Sequence, residues 1–388
     1  MSKTKVSIAR APGYDYDDVY AAVAVAVELI GGIGAFIKPK ARVFIKINHL
    51  PPPSPAERCI VTHPVFAQAV INLVKQVSDN ITVGDDIDTD EPDGFSISGY
   101  RQMCDRAGVR LISLREEGFA WKEYRGVILG HSYIAKTALD ADVIVNLPKL
   151  KTHSLTVFTG AVKNTYGMLP GGVRHRYHAE YSTRHDFSQM LVDVYAMASP
   201  QLNIMDGIMA MEGNGPAGGS PRLVGAVLAG ADAVAVDSVA AHIIGLKPAD
   251  VRTIDYATRR GIGVAGTEDI EVLGASIDSV KVADFSHPAA TNSTLVERAP
   301  RFLSGFVIDK FVDSRPIVIM DKCTGCAECQ KVCPAEAVMV INEIATINHD
   351  ICIKCMCCHE VCRFDAIVPR KAAIGRAFDF IMDMMKRR

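Results

Sequence analysis

Short β-branched runs alternate with longer stretches of helical periodicity from residue 5 to about residue 275. The runs at 5–9, 42–47, 81–83, 110–114, 142–147, 202–205 and 223–228 read as strands, and 17–29, 64–77, 187–197 and 232–244 as helices. This alternation predicts an α/β fold, a largely parallel sheet flanked by helices. The rhythm is lost over 276–315, where FSHPAATNST has the composition of a surface connection. A second, smaller α+β unit is expected from about Pro316. After it, Ile374, Phe378, Ile381 and Met385 form one helical stripe ending in Lys386, Arg387 and Arg388, where cations suit the helix dipole. The expected division is 1–280, a connection over 281–315, a small domain over 316–370 and a C-terminal amphipathic helix over 371–388.

Composition narrows the function. In 388 residues, 42 Lys and Arg face 44 Asp and Glu, so no long-range field gathers nucleic acid or an anionic membrane. The first residues lack a secretory core and no uninterrupted apolar run is long enough for a transmembrane segment, so a cytoplasmic protein is expected. Eleven cysteines are many for a reducing compartment, and nine lie between Cys323 and Cys362, which points to metal rather than disulfides.

Cys323, Cys326, Cys329 and Cys333, followed by Pro334, form C-x2-C-x2-C-x3-C-P; Cys352, Cys355, Cys358 and Cys362 repeat the spacing without the proline. In this bacterial iron–sulfur run the first three thiolates wrap one cubane and the fourth reaches the other. Cluster 1 is therefore assigned to Cys323, Cys326, Cys329 and Cys362, and cluster 2 to Cys333, Cys352, Cys355 and Cys358. Every ligand recurs 29 residues later, as do Asp321 at Asp350 and Ala337 at Ala366. Zinc, which favours separated C-x2-C pairs, is the alternative. Cys357 breaks the spacing and reads as a bystander, while Cys59 and Cys104 lack an activating motif. Residues 316–370 resemble a bacterial-type two-[4Fe-4S] ferredoxin domain, with Arg363 standing where a second proline is common. The resemblance implies one-electron transfer and a redox partner protein.

In an open parallel sheet, ligands bind beyond the carboxyl ends of the strands. Here those ends carry Lys46, Asn48 and His49; Asp85 and Asp86; Asn146, Lys149, Lys151 and His153; and Asp206. The densest stretch runs from Asn146 to Gly172 and includes Lys163 and Asn164. Its ammonium and amide groups suit a carboxylate or phosphate, and a desolvated lysine can act as a base; a solvated basic loop is the plain alternative. His153, His175, His178 and His185 lie beside Arg174, Arg176 and Arg184, a combination for an anion-binding lid, a metal or simple surface. The glycine-rich turn with Gly213, Gly215, Gly218 and Gly219 offers backbone amides to an anion. Gly261, Gly263 and Gly266 spell G-x-G-x-x-G, but a helix precedes and a strand follows, the reverse of a dinucleotide site. Residues 85–93 are acidic without an EF-hand's glycine and glutamate placement.

The segments KIN from Lys46, NLPKLKTH from Asn146, VKNTYG from Val162, the turn from Gly213 to Gly218 and GADAVAVD from Gly230 resemble the DUF362 family, whose name declares an unknown function. The leading expectation is an iron–sulfur oxidoreductase of anaerobic metabolism whose two clusters exchange electrons with a small anionic molecule on the α/β domain. Lys149, His153, Asp85 and Asp206 are its catalytic candidates. Lys46, Asn48, Asn146, Lys151, Lys163, Asn164, Gly215 and Gly218 are its binding candidates, and the same edge suits an additional metal or organic cofactor. The rival expectations are a non-catalytic electron carrier or scaffold subunit, and a non-redox enzyme with structural or sensory clusters.

Overall fold

The computed structural model describes residues 3–87, 93–288 and 314–371. The predicted C-terminal helix, most of the connection and the middle of the acidic stretch lie outside them. No helix of the described residues is long and apolar enough to cross a membrane.

Sixteen strands are found among the described residues: β1 Thr4–Arg10, β2 Val43–Lys46, β3 Ile81–Asp85, β4 Arg110–Ser113, β5 Phe119–Glu123, β6 His131–Ala135, β7 Val143–Asn146, β8 Lys149–His153, β9 Val157–Thr159, β10 Leu202–Glu212, β11 Ser220–Gly230, β12 Ile270–Gly274, β13 Ser314–Val318, β14 Val338–Ile341, β15 Ile344–Ile347 and β16 Ile367–Lys371. One large sheet has the order β12-β1-β11-β10-β7-β2-β3-β4, with β8 beside β10 and β9 beside β8. The β2–β3, β2–β7, β3–β4, β7–β10 and β1–β12 pairs are parallel. The α/β expectation therefore holds, with one refinement. Strand β11 is antiparallel to β1 and β10 because a turn of only seven residues joins it to β10, too short for a crossover.

Strands β2 and β7 are buried along their whole length, as a sheet covered on both faces requires. Val43, Ile45, Val143 and Val145 pack with Phe66, Val70 and Val74 of the helix Pro64–Lys75, while Phe44 and Ile144 pack on the other face with Leu191 and Val194 of the helix Arg184–Ala198. Alternation along β2 puts Lys46 on the face of Phe44, toward Tyr166 and Met168. Asp232 caps the helix Ala233–Ile243, accepting from Val234 N and Ala235 N. The helix Arg252–Arg259 precedes the G-x-G-x-x-G string and β12 follows it, the order that argues against a dinucleotide site.

The small C-terminal unit repeats its own structure. Helices Glu328–Lys331 and Cys357–Glu360 are 29 residues apart, and their capping residues Ala327 and Met356 share left-handed φ values of 62° and 65°. The hairpin β14–β15 and the antiparallel pair β13–β16 complete it.

Candidate functional site

The carboxyl ends of β2, β3 and β7 are in register, with Lys46 opposite Gly84 and Asn146. Lys46 Nζ lies 2.7 Å from Asp85 Oδ2 and both side chains are fully buried. Asp85 also accepts from His49 N and Asp86 N. Gly167 closes over this pair: a Cβ there would stand 2.7 Å from both Asp85 Oδ1 and Lys46 Nζ, so only glycine permits the approach.

Around the pair lies a pocket of about 50 Å³, lined by Lys46, Asn48, His49, Leu50, Asp85, Lys151, Thr159, Lys163, Asn164, Tyr166, Gly167, Arg174 and Pro216. Lys46, Asn48, Asp85, Lys151, Lys163 and Asn164, drawn from distant parts of the chain, thus come together as the polar-edge argument expects. Lys151 is 1% exposed and donates to Ile60 O at 2.6 Å. Burial, then the neighbouring Lys163 and Lys149, bring its pKa down to about 7. Burial also lowers the pKa of Lys163, against the pull of Glu360, and its ammonium sits 5.7 Å from the Tyr166 ring centroid. Neither Lys151 nor Lys163 forms a salt bridge to a described carboxylate. Arg174 is held by Asp86 at 2.5 Å, leaving its Nε unpartnered. Burial drives His49 down to about 4.

Other expected residues stand outside this pocket. Lys149 Nζ lies 2.7 Å from Asp206 Oδ2 and donates to Tyr14 OH at 2.6 Å, and Tyr14 OH lies 2.7 Å from Asp206 Oδ1. His63 N completes this buried knot by donating to Asp206 at 3.0 Å. Asn146 is buried beneath the pocket, bonded to Asn164, Asn203 and Ala161 O. Gly215 and Gly218 allow close approach: added Cβ atoms would stand 2.3 Å from Thr152 O and 2.5 Å from His359 Cε1. The histidines disperse. His178 stacks on Phe187, His185 bonds Tyr256, and His175 reaches Val332 O of the cysteine-rich unit at 3.1 Å. The helix Gly171–Glu180 carries Arg174 into the pocket, whereas Arg176 pairs with Glu180 away from it.

His153 lies at the junction of the two units. Its Nδ1 accepts from Leu155 N and Thr156 N, so the neutral ring carries its proton on Nε2, 3.4 Å from Glu360 Oε1. Burial holds His153 well below its usual range and raises Glu360. His359 Nε2 meets Asn214 O at 2.9 Å and Arg58 approaches Asp365 at 3.4 Å, which seats the cysteine-rich unit beside the pocket. Glu360, His359 and Tyr14 went unnoticed in the sequence. The positions of His359 and Glu360 between Cys358 and Cys362 of the second cysteine run could have drawn attention to them.

In that unit Cys323, Cys326, Cys329 and Cys362 line one cavity, with Val340, Ala345, Phe364 and Ile367 completing its apolar wall. Ala345 N, Ala337 N and Ala366 N point at the sulfurs of Cys323, Cys333 and Cys362 at 3.4, 3.2 and 3.2 Å. Four thiols around an apolar cavity, with backbone donors aimed at sulfur, fit an iron–sulfur cluster. Cys333, Cys352, Cys355 and Cys358 form a second neighbourhood, and the thiol of Cys357 is hydrogen-bonded to that of Cys355.

Fold and site together define an α/β protein joined to a ferredoxin-type iron–sulfur electron-transfer unit. The 4Fe-4S dicluster domain family matches residues 315–363, and the domain of unknown function DUF362 matches residues 43–242. A thylakoid-associated protein of Synechocystis is 34% identical over 265 residues, covering 68% of this chain and 81% of the relative. The chain belongs to the DUF362 family. Ferredoxin-2 of Chlorobaculum tepidum is 34% identical over 56 residues, covering 13% of this chain and 90% of its own length. Among solved structures, the lactate racemase apoprotein of Thermoanaerobacterium thermosaccharolyticum matches at 14% identity and a TM-score of 0.39, covering 60% of this chain and 55% of that one. A Thermotoga maritima protein matches at 12% identity and a TM-score of 0.35, covering 52% of this chain and 53% of that one. The chain spans about half the length of each of these structures.

Proposed function

We propose that this protein is an oxidoreductase in which two [4Fe-4S] clusters, held by the two cysteine sets assigned above, exchange electrons with a small anion in the Lys46–Lys151–Lys163 pocket. In this reading 1–280 is the substrate-binding domain, 281–315 the connection, 316–370 the electron-transfer domain and 371–388 a C-terminal helix. A separate redox protein serves as electron donor or acceptor. The clusters supply one-electron chemistry; the chain supplies binding and proton placement.

The carrying observation is that Lys151 and Lys163 converge with no described carboxylate in salt-bridge contact, Glu360 of the helix Cys357–Glu360 acting on them only at longer range. Burying ammonium groups without a contacting counter-charge costs several kcal/mol, and an anion placed between them offsets that cost. Lys151 and Lys163 bind the anion, and Asp85 holds Lys46 in place. His153 keeps a proton on Nε2 at the boundary between binding site and electron-transfer unit. The Lys149–Asp206 pair supports the strands beneath rather than meeting the substrate.

The test is anaerobic purification followed by comparison of wild type with Lys163→Met. Loss of anion binding and of reductant-dependent turnover, with iron content and cluster spectra unchanged, supports the proposal. Unchanged anion binding refutes the pocket, and unchanged electron transfer to a partner protein favours a carrier.

A further inference from the structure

The geometry points to a specific class of ligand for this pocket: a small anion that also carries a hydrogen-bond donor, such as a hydroxycarboxylate. The inference rests on the anion-binding reading above and adds to it from a separate observation, a chain of three buried side-chain amides.

The chain starts where the chemistry is unambiguous. Asn203 faces two backbone carbonyls, Gly230 O at 3.3 Å and Ala231 O at 3.1 Å; carbonyls only accept, so the group facing them is Nδ2. Asn203 Oδ1 is then left to accept, and it does so from Asn146 Nδ2 at 2.8 Å, which also donates to Ala161 O at 3.0 Å. Asn146 Oδ1 in turn accepts from Asn164 Nδ2 at 2.7 Å. Each amide fixes the orientation of the next, so Asn164 cannot flip without breaking the chain.

The outcome is an oriented acceptor. Asn164 Oδ1 is buried and has no hydrogen-bond partner, on a residue that is 4% exposed and lines the pocket. Asn48 Oδ1, two residues beyond the end of β2, is likewise buried and unpartnered. Lysines satisfy the oxygens of an anion, but an unpaired carbonyl oxygen disfavours a ligand with acceptors alone. Water fills this role when the pocket is otherwise empty, and a ligand that displaces water without replacing its donor loses affinity. A ligand hydroxyl directed at Asn164 Oδ1, with its carboxylate on Lys151 and Lys163, satisfies both requirements. The pocket volume restricts such a molecule to a few heavy atoms.

The experiment uses calorimetry on the anaerobic full-length holoprotein with acetate and glycolate, which differ by one hydroxyl. Wild type is expected to bind glycolate on the order of tenfold more tightly than acetate, since an unpaired buried acceptor is worth about that much. Asn164→Leu removes the acceptor and should abolish the preference. Asn146→Leu removes the 2.7 Å bond and leaves Asn164 Nδ2 held only by its longer contacts to Lys46 O and Ile47 O, at 3.5 and 3.4 Å, and should reduce the preference. Equal binding of both anions by folded wild type overturns the donor requirement and leaves the anion pocket intact. Binding of neither anion, with cluster spectra and melting unchanged, overturns the pocket reading and this inference with it. A preference that persists in folded Asn164→Leu overturns the role of the amide chain.

Discussion

His153 Nε2 and Glu360 Oε1 stand 3.4 Å apart across the boundary between the α/β sheet and the cysteine-rich unit, and both atoms are buried without a hydrogen-bond partner. Backbone donors to Nδ1 leave the His153 proton on Nε2, so Glu360 is its natural acceptor. Glu360→Gln keeps an acceptor oxygen and should change stability by under about 1 kcal/mol. Glu360→Leu removes the carboxylate that faces this N–H and that draws on Lys163 and Lys151, and should cost about 1–3 kcal/mol. Thermal melts of the anaerobic holoprotein distinguish them; equal melting of the two variants would remove this contact as a cross-boundary link.

The cysteine assignment separates ligands from bystander. Wild type should contain about eight irons per chain, and Cys326→Ala about half that, with the signal of the second cluster retained. Cys357→Ala should keep the full content, because Cys357 stands out of step with the 29-residue repeat of the other eight cysteines. Iron and sulfide analysis with electron paramagnetic resonance reads both outcomes.

Anion binding should depend on pH through Lys151. Its pKa near 7 in the free protein rises when an anion binds, because the anion stabilises the ammonium. Binding is therefore strongest below about pH 7 and weakens as pH rises through the pKa of the complex, by at most about tenfold per unit. Stability of the free protein runs the other way: the unfolded lysine binds its proton more tightly, so this residue makes stability rise from about pH 7 to about pH 10. Calorimetry across this range checks the first trend and denaturation the second, and Lys151→Met should flatten both.

Gly167→Ala introduces a methyl group 2.7 Å from each partner of the Lys46–Asp85 pair. The pair must shift, with an expected cost of about 1–3 kcal/mol and weakened anion binding. Gly172→Ala is the control, since nothing lies within 4 Å of its added Cβ and it sits in the helix Gly171–Glu180. Denaturation of the two variants side by side should show a loss only for Gly167→Ala.

Much of the site was legible because parallel strands bring their carboxyl ends to one edge wherever they lie in the chain. That rule reaches Lys46, Asp85 and Asn146 without coordinates. It does not say which lysines pair. A regular β8 would place Lys149, Lys151 and His153 on one face by its two-residue period. The register against β10 instead jumps from Asp206 opposite Lys149 to Met211 opposite Lys151. This irregularity gives Lys149 a carboxylate partner and leaves Lys151 at the pocket without one.

The sequence by itself determined the cysteine chemistry and the α/β class. The cysteine runs are recognised by their short-range spacing, and strand–helix alternation is a local property of side-chain pattern. The tertiary structure alone decided which buried charges stay unpaired, which way Asn164 points and that Glu360 meets His153. Those depend on contacts between residues tens to hundreds of positions apart, whose partners no local pattern specifies.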